Sequence, residues 1–230
     1  MANAHKVEDI EFTYKTSKRR TVSLFVERDG KVSLIVPDNL PIIQIEEVVK
    51  AKKSWIYKSL AEWEDLNASR IEREFVSGEG FLYLGRTYRL KVAEDILENF
   101  VFKGNQFLIR KGKLKECAEY FKGFYKQKGQ EKIPERVIYY SGKMGVKPKS
   151  IKILELGNRW ASCSPDGNLN FHWKCMMAPL SVLDYIIVHE LAHLKHMNHT
   201  DAFWNEVDKV ISDYKEKAEW LKFNGASMGL

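Results

Sequence analysis

Four of the six histidines in the 230-residue chain fall inside one eleven-residue segment, HELAHLKHMNH, running from His189 to His199. His189 and His193 are four residues apart, a spacing that on a helix brings both imidazoles to one face, where they can share a single cation. A zinc ion is the natural guest, with nitrogen ligands expected at about 2.0–2.1 Å. Glu190 is displaced by about 100° around the axis from His189, so it does not share the ligand direction but can reach a water on such an ion. Catalytic zinc keeps three protein ligands and one open position. His199, six residues beyond His193, is the candidate third ligand, with Asn198 supplying the turn; Glu206, Glu216 and Glu219 on a downstream helix are its rivals. His196, about one turn past His193, reads as a supporting or surface residue. The chemistry such a group performs is metal-assisted hydrolysis, with Glu190 as acid/base and a peptidase as the foremost reading.

The helix that must carry these residues runs from Ser181, where Ser181 and Asp184 suggest an N-cap with an acidic capping-box partner. Val182 to Val188, Leu191, Ala192 and Leu194 make it apolar nearly all round, so it should be buried. Unpaired His and Glu side chains on a buried helix would be unfavourable by a few kcal/mol each, which strengthens the metal reading over satisfied core histidines. Just upstream, Arg159–Ser164 and Asn168–Trp173 form a hairpin around Pro165-Asp166-Gly167. On its second strand Leu169, Phe171 and Trp173 point to the core, while Asn168, Asn170 and His172 share the polar face. That face either lines a cleft or meets solvent. Trp160, Asn168 and Asn170 are the candidate substrate-binding residues, and an extended peptide could add to the edge of the Asn168–Trp173 strand.

Earlier in the chain, alternation in Thr21–Val26 and Lys31–Val36 flanks the turn pair Asp29-Gly30. One long helix is expected from Ile45 to Trp63, then strands near Phe81–Leu84, Tyr88–Val92, Phe100–Phe102 and Phe107–Ile109, with turns at Gly85-Arg86 and Gly104-Asn105. Beyond Gly112 come an amphipathic helix from Leu114 to Lys126, a second helix opening at Pro134, and a strand at Ile151–Leu156. The expected organisation is α+β: a strand-rich module at 1–111 with one long helix, then a catalytic domain at 112–230 with helices packed on a small antiparallel sheet. No sequence repeat or low-complexity linker is present.

The formal net charge is +6, and residues 101–150 hold thirteen Lys or Arg against four Asp or Glu. This surplus could attract nucleic acid, but the lysines lie mostly away from the stripe Leu114, Cys117, Ala118, Phe121, Phe124 and Tyr125, so a solvated helix face is favoured and nucleic acid is not the preferred partner. The expected partner is a peptide or protein. Three cysteines without a C-x-x-C pair, no apolar leader and no run long enough to span a bilayer point to a cytoplasmic protein without membrane contact. Oligomeric state is not readable.

The stretches VHELAHLKHMNHTDAFW and NRWASCSPDGNLNFHW closely resemble the YgjP-like metallopeptidase family, relatives of SprT-like and minimal-zincin proteins. TSKRRTVSLFVERDGKVSLIVP and KSWIYKSL extend the similarity over nearly the whole chain. The resemblance implies a zincin-like catalytic half behind a strand-rich N-terminal half. It also implies an HExxHxxxxxH site with His189, His193 and His199 as zinc ligands and Glu190 as acid/base. Two alternatives stay open: a SprT-like protease acting on DNA-bound proteins, with Lys18-Arg19-Arg20 and the Lys-rich segment as docking surface, and a non-catalytic zinc module. The family's W-G-S-C reads Trp160-Ala161-Ser162-Cys163 here, and position 196 is His where the similarly spaced metzincin motif has Gly.

Overall fold

A computed structural model describes residues 3–27, 29–67, 72–157 and 159–230; Asn158, inside one of the motifs above, lies outside them. The chain forms an α+β structure of two compact units, Met1–Ser69 and Arg70–Leu230.

In the first unit, β1 (Asn3–Val7), β2 (Ile10–Ser17), β3 (Ser23–Val26) and β4 (Val32–Pro37) form a sheet of order β1-β2-β4-β3. The β2–β4 pair is parallel and the others are antiparallel. Gly30 takes the positive φ of 82° that the turn into β4 requires. Val32, Leu34 and Val36 alternate inward and meet Ile45, Val49 and Ile56 in a buried cluster. The expected single helix is two, α1 (Ile42–Ala51) and α2 (Lys53–Asn67). At Lys52 the backbone N–H is shared between the carbonyls of Val48 and Val49, and Lys53 beside it is held by Glu8 and Asp9 of the β1–β2 turn.

In the second unit, β5 (Gly80–Tyr83), β6 (Arg86–Ala93), β7 (Phe100–Lys103) and β8 (Gln106–Arg110) repeat the same order, β5-β6-β8-β7, with β6 and β8 parallel. The turn expected at Gly104-Asn105 forms, with positive φ at both residues, whereas the one expected at Gly85-Arg86 lies one residue earlier, at Leu84-Gly85, because Arg86 already pairs with Tyr83 as the first residue of β6. The boundary expected at 111/112 differs from the contact division at 69/70 for a physical reason. Phe81 stacks on Phe121 at 4.1 Å, the Tyr125 hydroxyl donates to Leu82 O at 2.6 Å, and the Leu84 and Gly85 amides donate to the carbonyls of Met176 and Met177. This sheet shares one buried core with everything that follows it.

A 3₁₀ turn at Lys111–Glu116 leads into α3 (Cys117–Met144), one helix of 28 residues with Pro134 inside it, rather than two. Pro134 removes one intrahelical hydrogen bond, at about 3 kcal/mol. The stripe Phe121, Tyr125, Gly129, Ile133, Val137, Tyr140 and Met144 is buried straight through it, and that packing keeps the helix continuous. Gly129 lets Ile153 approach: a Cβ there would stand 3.2 Å from its side chain.

Next, β9 (Ser150–Leu154), β10 (Ala161–Cys163) and β11 (Asn168–His172) form a sheet of order β10-β11-β9, mixed rather than antiparallel because β9 and β11 run parallel. A 3₁₀ turn at Trp173–Met177 precedes α4 (Leu180–Ala192), followed by α5 (Asp201–Asp208) and α6 (Tyr214–Asn224). The N-cap of α4 is Pro179 and not Ser181. Asp184 serves another purpose, accepting two hydrogen bonds from Arg136 of α3 at 2.7 and 2.6 Å. Among the described residues no helix is long and apolar enough to cross a membrane.

Candidate metal centre

The last turn of α4 delivers His189 and Glu190, and His193 follows as the C-cap, still in helical conformation. The amides of Leu194, Lys195 and His196 close a turn back onto Leu191 and Ala192, and Thr200 N bonds Asn198 O before α5 begins. Neither His196 nor Asn198 has a positive φ. The turn therefore needs no glycine, which accounts for a His at position 196.

The path returns His199 to the other two. The Nε2 atoms of His199 and His189 face each other across 3.0 Å, and one ligand atom from each of His189, His193 and His199 lies within 4.8 Å of the others. Ring centroids are 4.7 to 5.0 Å apart. The Nδ1–H of His193 donates to the carbonyl of His196 at 3.2 Å, leaving Nε2 with its lone pair. His196 thus contributes its backbone oxygen to the site.

Burial, together with the mutual repulsion of the rings, brings the pKa of His189 down to about 3. His193 and His199 are lowered by desolvation too, His193 against the opposing pull of its bond to His196. Three neutral imidazoles thus converge, and the Nδ1 of His189 is buried without a partner among the described residues. Protein groups alone leave this cluster short of partners. A divalent cation taking three nitrogen lone pairs fits it, with the donor set that zinc accepts.

Glu190 is only 6% exposed. Burial pushes its carboxyl up to about 8, against the pull of the positive charge on Arg159. Sequence reasoning did not single out Arg159, whose only signal was its place beside Trp160. The negative charge of Glu190 is felt by Cys163 of β10, whose thiol is held up at about 11 chiefly by burial.

The three candidate substrate-binding residues are placed otherwise than the triad. Asn168 accepts from the Ser150 hydroxyl at 2.7 Å and donates to Ser164, and Asn170 donates to Ser162. These amides tie strand to strand. The carbonyl of Trp160 accepts from His172 N and from the Cys175 thiol. Moreover, β11 is the central strand, paired on both sides, so the expected docking edge at Asn168–Trp173 does not exist. The free edge on the α4 side belongs to β10, which packs against that helix.

Of the rival ligands, Glu206 binds Lys195 and Lys209 at 2.8 and 2.7 Å, and Glu216 and Glu219 are exposed on α6. Among the described residues, the three histidines form the one cluster with metal-ligand geometry. In the 3₁₀ turn Lys113 pairs with Glu116, and along α3 Lys122, Lys128 and Lys132 pair with Glu119, Glu131 and Glu135.

A family model described as YgjP-like, metallopeptidase domain, matches residues 20–224. Among solved structures, the metallopeptidase zymogen of Pyrococcus abyssi abylysin matches at 26% identity, over 38% of this chain and 89% of that one, with a TM-score of 0.36. No curated protein matches the chain.

Proposed function

The chain belongs to the YgjP-like metallopeptidase family, a family of metal-dependent peptidases, and on that premise we propose that its metal is zinc, held by His189, His193 and His199, with Glu190 as general base. The observation that carries this reading is the convergence of three desolvated imidazoles, two of them nitrogen to nitrogen at 3.0 Å.

Zinc bound there would supply Lewis acidity, polarising a carbonyl and acidifying water. The rest of the work falls to the chain. With its pKa near 8 the Glu190 carboxyl can exchange a proton at neutral pH, and a divalent cation beside it would draw that value down, favouring the ionised base. Glu190 then takes a proton from water and passes it to the leaving nitrogen of a peptide. The free edge of β10 offers main-chain donors and acceptors to an extended substrate, which gives affinity with little side-chain selection. Structural zinc normally has four protein ligands, and among the described residues three candidate ligands converge, which favours the catalytic reading over a non-catalytic module. The Lys–Glu pairs along α3 support a solvated helix face over a nucleic-acid footprint. Three unpaired cysteines fit a cytoplasmic setting.

Elemental analysis of protein purified without chelator should find zinc at one per chain, and His193→Ala should lose it. Glu190→Gln should keep the metal and abolish cleavage of a generic peptide library read by mass spectrometry. A Gln variant as active as the parent would remove Glu190 from the mechanism, and absence of stoichiometric zinc would sink the assignment.

A further inference from the structure

His189 lies in α4 and His193 caps it, but His199 lies beyond both: it is exposed and sits in the connection between α4 and α5. A ligand on a loop needs something to hold its ring, and the two aromatic residues of α5 meet it. The imidazole of His199 stacks on the indole of Trp204, with centroids 5.6 Å apart and planes 27° from parallel. Trp204 in turn stacks on Tyr214, the first residue of α6, at 5.2 Å and 15°. Phe203, fully buried, lies 4.9, 4.6 and 4.7 Å from the rings of His189, His193 and His199.

We propose that the Trp204–Tyr214 stack, with Phe203 as the common floor beneath the three imidazoles, is a positioning device that fixes the ring of the loop-borne ligand His199 and thereby sets the metal affinity of the site. The proposal rests on the zinc reading above. A flat indole against a flat imidazole blocks rotation of His199 out of the triad, because turning its Nε2 away breaks the stack. Neither Phe203 nor Trp204 presents a lone pair, so they orient the ligands without competing for the ion. Their apolar surface also lowers the local dielectric, which strengthens the attraction of the nitrogens for a cation.

The full-length chain is titrated with Zn(II) against chromophoric chelators, and with Co(II) while its visible absorption reports coordination. Groups that orient metal ligands typically contribute about 10–100-fold in affinity. Trp204→Ala should weaken Zn(II) binding within that range and alter the Co(II) bands, Trp204→Phe should restore most of the affinity, and Tyr214→Leu should give a smaller loss in the same direction. Circular dichroism checks folding, and if Trp204→Ala does not fold, Trp204→Phe and Tyr214→Leu carry the test.

The deciding comparison repeats the Trp204 and Tyr214 changes in a His199→Ala background. If the stack acts through His199, their effect on Zn(II) affinity disappears there. An equal loss in both backgrounds, or no loss in the parent, overturns the positioning role while leaving the ligand set standing. His199→Ala binding zinc as tightly as the parent would overturn the ligand set itself.

Discussion

His172 shows how one side chain near the site can govern stability without taking part in chemistry. It is 4% exposed, its Nδ1 accepts the amide of Lys174 at 3.0 Å, and burial, reinforced by the charge of Lys174, brings its pKa from 6.5 down to about 4. Between these values the unfolded chain binds the proton that the folded chain refuses. Stability therefore falls as pH drops from 6.5 to 4 and levels below 4. At about 1.4 kcal/mol per pH unit this amounts to a few kcal/mol at most. His172→Asn, whose Oδ1 can still accept the Lys174 amide, should show a shallower loss in urea unfolding across that window. An unchanged slope would mean that His172 is protonated in the folded state.

Between elements, the bidentate Arg136–Asp184 pair joins α4 to α3, with Asp184 only 7% exposed. Removing one partner strands the other away from water. Asp184→Ala should therefore destabilise the fold by about 3 kcal/mol, whereas replacing both residues with Leu should recover much of that loss. Denaturant midpoints of the two singles and the double would decide it; a double variant worse than either single would show that the pair is a net stabiliser. The same helix contact explains why Asp184 does not cap α4. Its carboxylate has a guanidinium to bind, while Pro179 at the N-cap lets the first turn close onto its own carbonyl, which accepts from the Val182 and Leu183 amides.

At the scale of the whole molecule, each unit has a buried cluster of its own, Val7 to Ile56 in one and Phe81 to Met228 in the other. All three ligand candidates and Glu190 belong to the second. A chain beginning at Arg70 should accordingly fold and bind zinc with the affinity of the full chain. A large loss of affinity in that fragment would assign residues 1–69 a share in building the site.

What was legible in the sequence is what neighbouring residues determine among themselves. The i, i+4 spacing of His189 and His193, the glycine-bearing turns at 30, 85, 104 and 167, and the alternation of Leu169 and Phe171 are local properties, because φ preferences and helical or strand periodicity act within a few residues. The family, too, was readable from contiguous motifs. Tertiary structure alone decided which strand lies at the centre of the small sheet, so that Asn168 and Asn170 bind serines on neighbouring strands. It also decided that Pro134 stays inside a helix, that Asp184 meets Arg136, and that Phe203 and Trp204 close around the histidines. Each of these depends on packing or pairing between elements whose meeting no local preference dictates, and such contacts override local signals when they bury more surface or satisfy more charge.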